Sequence, residues 1–134
     1  MALVILNNIF TLRVNILFKR FSSVEFCFSN NKLAKVLTSE RELARNYGSD
    51  NGRRIARRLQ NIADAANLEE LSKLPQTRVH QLIGDRKEQI SVDVKHPYRL
   101  ILLCNHDETP RKDDGGLDWA RITKVQLIEI ADTH

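Results

Sequence analysis

At 134 residues the chain is sized for one domain with a single modest core, and 42% hydrophobic with 28% charged residues is an ordinary globular composition. The net charge of +4 is unevenly placed: residues 1–22 hold Arg13, Lys19 and Arg20 with no acid, and the rest carries 18 basic against 17 acidic residues. A generally polycationic nucleic-acid binder is thereby excluded, and any such function has to come from local clusters.

The first 22 residues, MALVILNNIFTLRVNILFKRFS, are apolar and lightly basic. Their longest unbroken apolar run, Met1–Leu6, is far short of the ~20 residues a spanning helix needs. No small-residue cleavage site follows, so residues 1–23 are expected to be an appendage and residues 24–134 the domain. Val24–Phe28 predicts a first strand. Asn30 or Asn31 is placed to cap a helical turn carrying Leu33, Val36 and Leu37. Ser39-Glu40-Arg41-Glu42 has the capping-box form, and Gly48 suits the end of that helix. Asp50 is the expected cap of the next helix, where Ile55, Leu59, Ile62, Ala63 and Ala66 form an apolar stripe. The two segments predict a helical hairpin packed on one face of a sheet.

Arg53, Arg54, Arg57 and Arg58 stand together on that second helix. Either they are a solvated basic face, or they are a footprint for RNA phosphates or an acidic partner; four arginines with no acid among them favour the footprint. Leu68, Leu71 and Leu74 mark a short helix stopped by Pro75.

From Arg78 to Asn105 the chain predicts three strands and two turns. Ile90, Val92 and Val94 alternate with Ser91, Asp93 and Lys95, the period of a strand with one apolar face. Gly84-Asp85-Arg86-Lys87 turns the chain before them and His96-Pro97 after them. Arg99–Cys104 is more continuously apolar, as in a strand covered on both sides. Residues 105–118 are a polar loop, with Trp119 behind it as a core anchor, and Arg121–Ile130 is the final strand. Strand, helices, then strands is the order of an α+β fold with its helices on one face of the sheet.

Cys27 and Cys104 sit in strand-like runs and are expected to be buried free thiols of a reducing cytosol; no metal-ligand spacing is present. His96 and His106 fall in a turn and a loop and are expected to face solvent. His80 is either a half-exposed strand histidine or a proton-transfer group, since an ordinary pKa near ~6.5 suits that role. Arg86 and Arg99 are either surface charges or cations for a phosphate whose charge grows in a transition state.

Several stretches together resemble the RelE/ParE toxin superfamily: VEFCFSNNKL, RRLQNIADAANLEELSKLP, HQLIGDR, HPYRLIL and GGLDWARITKVQLIEIADTH. The likeness spans Val24 to His134 and is strongest to the HigB-like host-killing branch. It implies a RelE-like α+β fold, a small mostly antiparallel sheet carrying an N-terminal helical hairpin. It also implies a cytoplasmic toxin of a type II toxin–antitoxin pair, neutralised by a helix-turn-helix antitoxin and meeting operator DNA only through it. In that branch the toxin enters the ribosomal A site and cuts mRNA without a metal or other cofactor. Carried over, the catalytic set is His80, Arg99, Asp132 and His134, with Arg53, Arg54, Arg57, Arg58 and Arg86 on RNA. The chain departs from the pattern at Thr133, where the family has tyrosine, at Ile83, where lysine is common, and at Ile90, where tryptophan is usual. Two rival readings stay open: a ParE-like gyrase inhibitor acting by contact, and a degenerate toxin that only binds its antitoxin.

Overall fold

In the computed structural model, residues 24–132 are described; the expected appendage, residues 1–23, and Thr133 and His134 lie outside the described residues. Five strands form one open sheet: β1 (Glu25–Phe28), β2 (His80–Gln81), β3 (Ile90–Lys95), β4 (Tyr98–Cys104) and β5 (Lys124–Asp132). Their spatial order is β1-β5-β4-β3-β2. Only β1 with β5 is parallel; the other three pairings are antiparallel. Between β1 and β2 come four α-helices among the described residues: α1 (Asn31–Leu37), α2 (Glu40–Tyr47), α3 (Ser49–Asp64) and α4 (Leu68–Ser72). The fold is α+β, and no described helix is long and apolar enough to cross a membrane.

Local chemistry sets the helix starts. Asn30 Oδ1 accepts from Leu33 N at 2.8 Å and Ser39 Oγ from Glu42 N at 3.2 Å, each meeting a backbone donor that the first turn leaves open. The next helix departs from the expectation. It begins at Ser49 with Gly48 as its cap, and Asp50 lies inside the first turn. Gly48 takes a φ of 86°, a left-handed bend that carries the chain from α2 directly into α3 without a capping side chain.

The helices pack α2 against α3 and α3 against the sheet, and one stripe of α3 is buried: Ile55, Leu59, Ile62 and Ala63. Opposite it stand Ile90, Val92 and Val94 of β3, Leu100 and Leu102 of β4, and Val125 and Leu127 of β5, in one core cluster. Each such large side chain contributes about 1.5–3 kcal/mol by leaving water. The α2–α3 contact is close because Gly52 has no side chain: a Cβ there would come within 3.2 Å of the Leu43 carbonyl carbon. Trp119 packs half-buried against the core, as expected.

The final strand starts three residues later than its composition suggests. Asp118–Arg121 is held as a tight turn by Arg121 Nε donating to Asp118 Oδ2 at 2.7 Å, so pairing with β4 and β1 begins only after it. Cysteine burial also differs. Cys27 is exposed on the edge strand β1, where it alternates with Phe26 and Phe28 that pack on the core, and Cys104 is half-buried.

Candidate active site

The register divides the sheet into a face covered by helices and a face that carries no helix among the described residues, the helix-free face. His80 lies opposite Ser91 in β3, Ser91 opposite Ile101 in β4, and Ile101 opposite Glu129 in β5. This row alternates with the core residues Ile90, Val92, Leu100 and Leu102, so it belongs to the helix-free face. Ile101 agrees with that placement, being buried yet outside the core cluster. The neighbouring row on the same face is Asp93, Arg99 and Ala131.

His80 is positioned by the chain just before it. The buried Thr77 hydroxyl anchors the approach, donating to Leu74 O at 2.7 Å with Leu71 O at 3.1 Å. Arg78 then takes φ 40° and ψ 50°, a left-handed conformation uncommon for a residue with a side chain. That bend leaves Arg78 O 3.0 Å from His80 Nδ1. A carbonyl only accepts, so Nδ1 donates, and in the neutral ring Nε2 holds the lone pair. His80 is exposed, so this arrangement presents a proton acceptor on the helix-free face.

Arg99 is half-buried on the same face, two strands away and two residues along. Strand spacings put its Cα about 12 Å from that of His80, within joint reach of two long side chains. Its cross-strand neighbour Asp93 is turned to another partner, Arg78, with Nε to Oδ2 at 3.6 Å. Among the described residues, Arg99 has no hydrogen bond or ion pair with an anion, which leaves its fork available to an external one.

Arg86 is engaged. Its Nε donates to Gln89 Oε1 at 2.8 Å and its terminal nitrogen pairs with Glu129, so the side chain straps across the face from the lead-in of β3 to β5. An RNA phosphate would have to compete with Glu129 for it. Asp85 lies exposed in the same turn.

Asp132 does not join this group. A bulge in β5 at Ile128 shifts the pairing between Ile101 with Glu129 and Leu102 with Leu127. One inserted residue exchanges the faces of everything after it. Asp132 therefore pairs with Tyr98, whose ring packs edge-on against Tyr47 of α2 at 5.2 Å, on the helix side. Three strand spacings and three residues also put Asp132 about 17 Å from His80. The register thus places Asp132 apart from His80 and Arg99. His134 and Thr133 lie outside the described residues.

The arginine cluster of α3 is also divided. Arg58 is only 7% exposed. Its Nε donates to Asp93 O at 2.7 Å, one terminal nitrogen to Asn61 Oδ1 at 2.7 Å and the other to Val94 O at 3.4 Å. Those carbonyls flank the β3 irregularity between Asp93 and Lys95, where the ladder with β4 skips a residue. Arg58 is a structural clamp and not part of an exposed footprint, because its guanidinium is consumed inside. Position 58 follows Ile55 by three and precedes Ile62 by four, the spacing of the buried stripe, and that signal identifies it. Arg53 and Arg54 remain accessible but both pair with Asp50, at 3.4 and 3.3 Å, and Arg57 is exposed. These exposed pairs contribute little to stability, and they offset part of the cluster's charge.

Two further side chains escape a reading of the sequence. Ser91 is fully buried between His80 and Ile101, and its Oγ has no hydrogen-bond partner, the one such buried side-chain atom among the described residues. Leaving a buried hydroxyl unpaired costs about 1–3 kcal/mol. His106 is not the solvent-facing loop residue expected. Its Nε2 accepts from Thr123 N at 3.0 Å and Lys124 N at 3.2 Å, fastening the 105–118 loop to the start of β5. Burial, aided by the Lys124 charge, holds its pKa below the ordinary histidine value. His96 is exposed, as expected.

Among the described residues no group of three or more His, Cys, Asp or Glu is arranged to hold a metal ion. Compared with known proteins, the chain matches no protein-family model and no curated protein.

Proposed function

We propose that this chain is a HigB-like toxin of the RelE/ParE superfamily, a ribosome-dependent endonuclease that cuts mRNA by the chemistry of RNA itself. The observation that carries the reading is the pairing of His80 and Arg99 on the helix-free face. One offers a free imidazole nitrogen in a tautomer fixed by Arg78 O; the other offers a guanidinium with no anion among the described residues. In the reaction, His80 Nε2 takes the proton of a ribose 2′-hydroxyl, whose oxygen attacks the adjacent phosphorus. The bond to the 5′-oxygen breaks, leaving a 2′,3′-cyclic phosphate and a 5′-hydroxyl. Arg99 balances the charge that builds on the phosphate oxygens. The leaving oxygen needs a proton, a task this proposal gives to His134, which the resemblance places in the catalytic set.

The RelE-like reading of the fold, with α2 and α3 as its N-terminal hairpin, supports the same conclusion. Partners follow from it: the ribosome and mRNA, approached in part through Arg53, Arg54 and Arg57, and a helix-turn-helix antitoxin that carries the pair to operator DNA. A cytoplasmic site of action belongs to the same proposal. One observation favours the second reading, a toxin that acts by contact on gyrase or has lost catalysis: Asp132 sits on the opposite face from His80.

The test is to add the purified full chain to a translating extract and map mRNA ends. Cuts confined to translated mRNA, ending in cyclic phosphates, are expected. Intact mRNA with loss of gyrase supercoiling would support the contact reading instead.

A further inference from the structure

Ser91 stands between His80 and Arg99 on the sheet face they share. It lies directly across from His80, so their Cβ atoms are about 5 Å apart, and diagonal to Arg99, about 7–8 Å away. A phosphate held by the Arg99 fork and within reach of the His80 ring would therefore rest over it. The Ser91 hydroxyl is also the one buried side-chain polar atom among the described residues with no hydrogen-bond partner. Alanine would fit the same strand position without that penalty. A buried hydroxyl without a partner, placed between a proton acceptor and an unmatched cation, calls for an explanation.

We propose that the Ser91 hydroxyl is a phosphate-binding group of this site, donating a hydrogen bond to a non-bridging phosphate oxygen that Arg99 also holds. The inference rests on the reading of the His80 face given above. In the free protein the hydroxyl is fully covered. His80 is exposed and Arg99 half-buried, and both reach ligand by rotamer changes, which are fast. The donation adds a hydrogen bond where negative charge gathers and moves no proton, so Ser91 touches substrate without being its acid or base.

The probe is inorganic phosphate, and then adenosine 3′-monophosphate, titrated into the full-length protein while the His80 imidazole resonances are followed by NMR. Melting temperature is measured on the same samples. Ser91→Ala is expected to weaken binding about tenfold, equivalent to ~1.4 kcal/mol, while melting at the same temperature as the wild type or higher. Ser91→Thr, which keeps the hydroxyl, is expected to recover most of the affinity. Unchanged affinity in Ser91→Ala would overturn the proposal. So would a wild-type protein that binds neither probe, or a Ser91→Ala protein that loses affinity only in proportion to a lowered melting temperature. The nuclease reading fails separately: if His80→Ala still cuts translated mRNA, that reading falls, whereas a Ser91-dependent phosphate site measured by NMR would stand.

Discussion

Arg58→Ala separates a structural arginine from a recognition arginine on the same helix. In the wild type its guanidinium meets the carbonyls of Asp93 and Val94 and the side chain of Asn61. Two of these bonds, at 2.7 Å, have good geometry, and the third at 3.4 Å is weak. Hydrogen bonds to a charged group contribute about 1.5–3 kcal/mol each, and the substitution removes two good ones. The substitution should therefore destabilise the domain by about 3–5 kcal/mol, on the order of 10–20 °C in melting temperature at this size. Arg57→Ala, one residue away but exposed, should stay within about 0.5 kcal/mol. Arg58→Lys should recover little, since an ammonium cannot span the carbonyls as a planar fork does. Urea unfolding of the three variants measures this directly. A loss below 1 kcal/mol in Arg58→Ala, or equal losses at positions 57 and 58, would refute the clamp.

Gly52→Ala should destabilise by about 1 kcal/mol although alanine is the better helix former by about that amount, because the new Cβ meets the Leu43 backbone; a gain in stability would mean that α2 yields freely. His106 gives acid sensitivity of defined sign. Its folded pKa is depressed, so its contribution is fully present above the ordinary value near ~6.5 and is lost as pH falls through the folded pKa. Unfolding free energy should fall between pH 7 and pH 5, less steeply in His106→Gln, and identical slopes would remove His106 as the cause. Replacing Arg53, Arg54 and Arg57 together with Gln should weaken ribosome association and flatten its salt dependence without a change in melting. Unaltered binding would reduce that stripe to a solvated face.

What the sequence reveals here is local, and what it conceals depends on distant contacts. The alternation of Ile90, Val92 and Val94 yields β3, and Ser39 three residues before Glu42 yields the start of α2, because each signal is written within a few residues. His80 and Arg99 are identifiable as residue types, yet their shared face depends on two strand registers. The face Asp132 takes turns on one residue of bulge at Ile128, where neither glycine nor proline marks the irregularity. Counting by twos from Val125 and Leu127 puts Asp132 on the helix-free face; the bulge reverses it. The His106 clasp closes across 17 residues to backbone donors, which carry no side-chain signature. The orphan hydroxyl of Ser91 is likewise invisible until its neighbours are in place. Arg58 was readable, since its spacing fits the buried stripe, but its charge directs attention outward.

Growth arrest and mRNA cleavage by His80→Ala, compared with wild type at equal expression and equal melting temperature, test the proposed activity most directly. General base catalysis by a positioned side chain is worth ~10²–10⁴-fold, so loss of arrest and a fall in cleavage of at least about a hundredfold are expected. A His80→Ala protein that folds, arrests growth as the wild type does and cuts the same messages would contradict catalysis at the helix-free face.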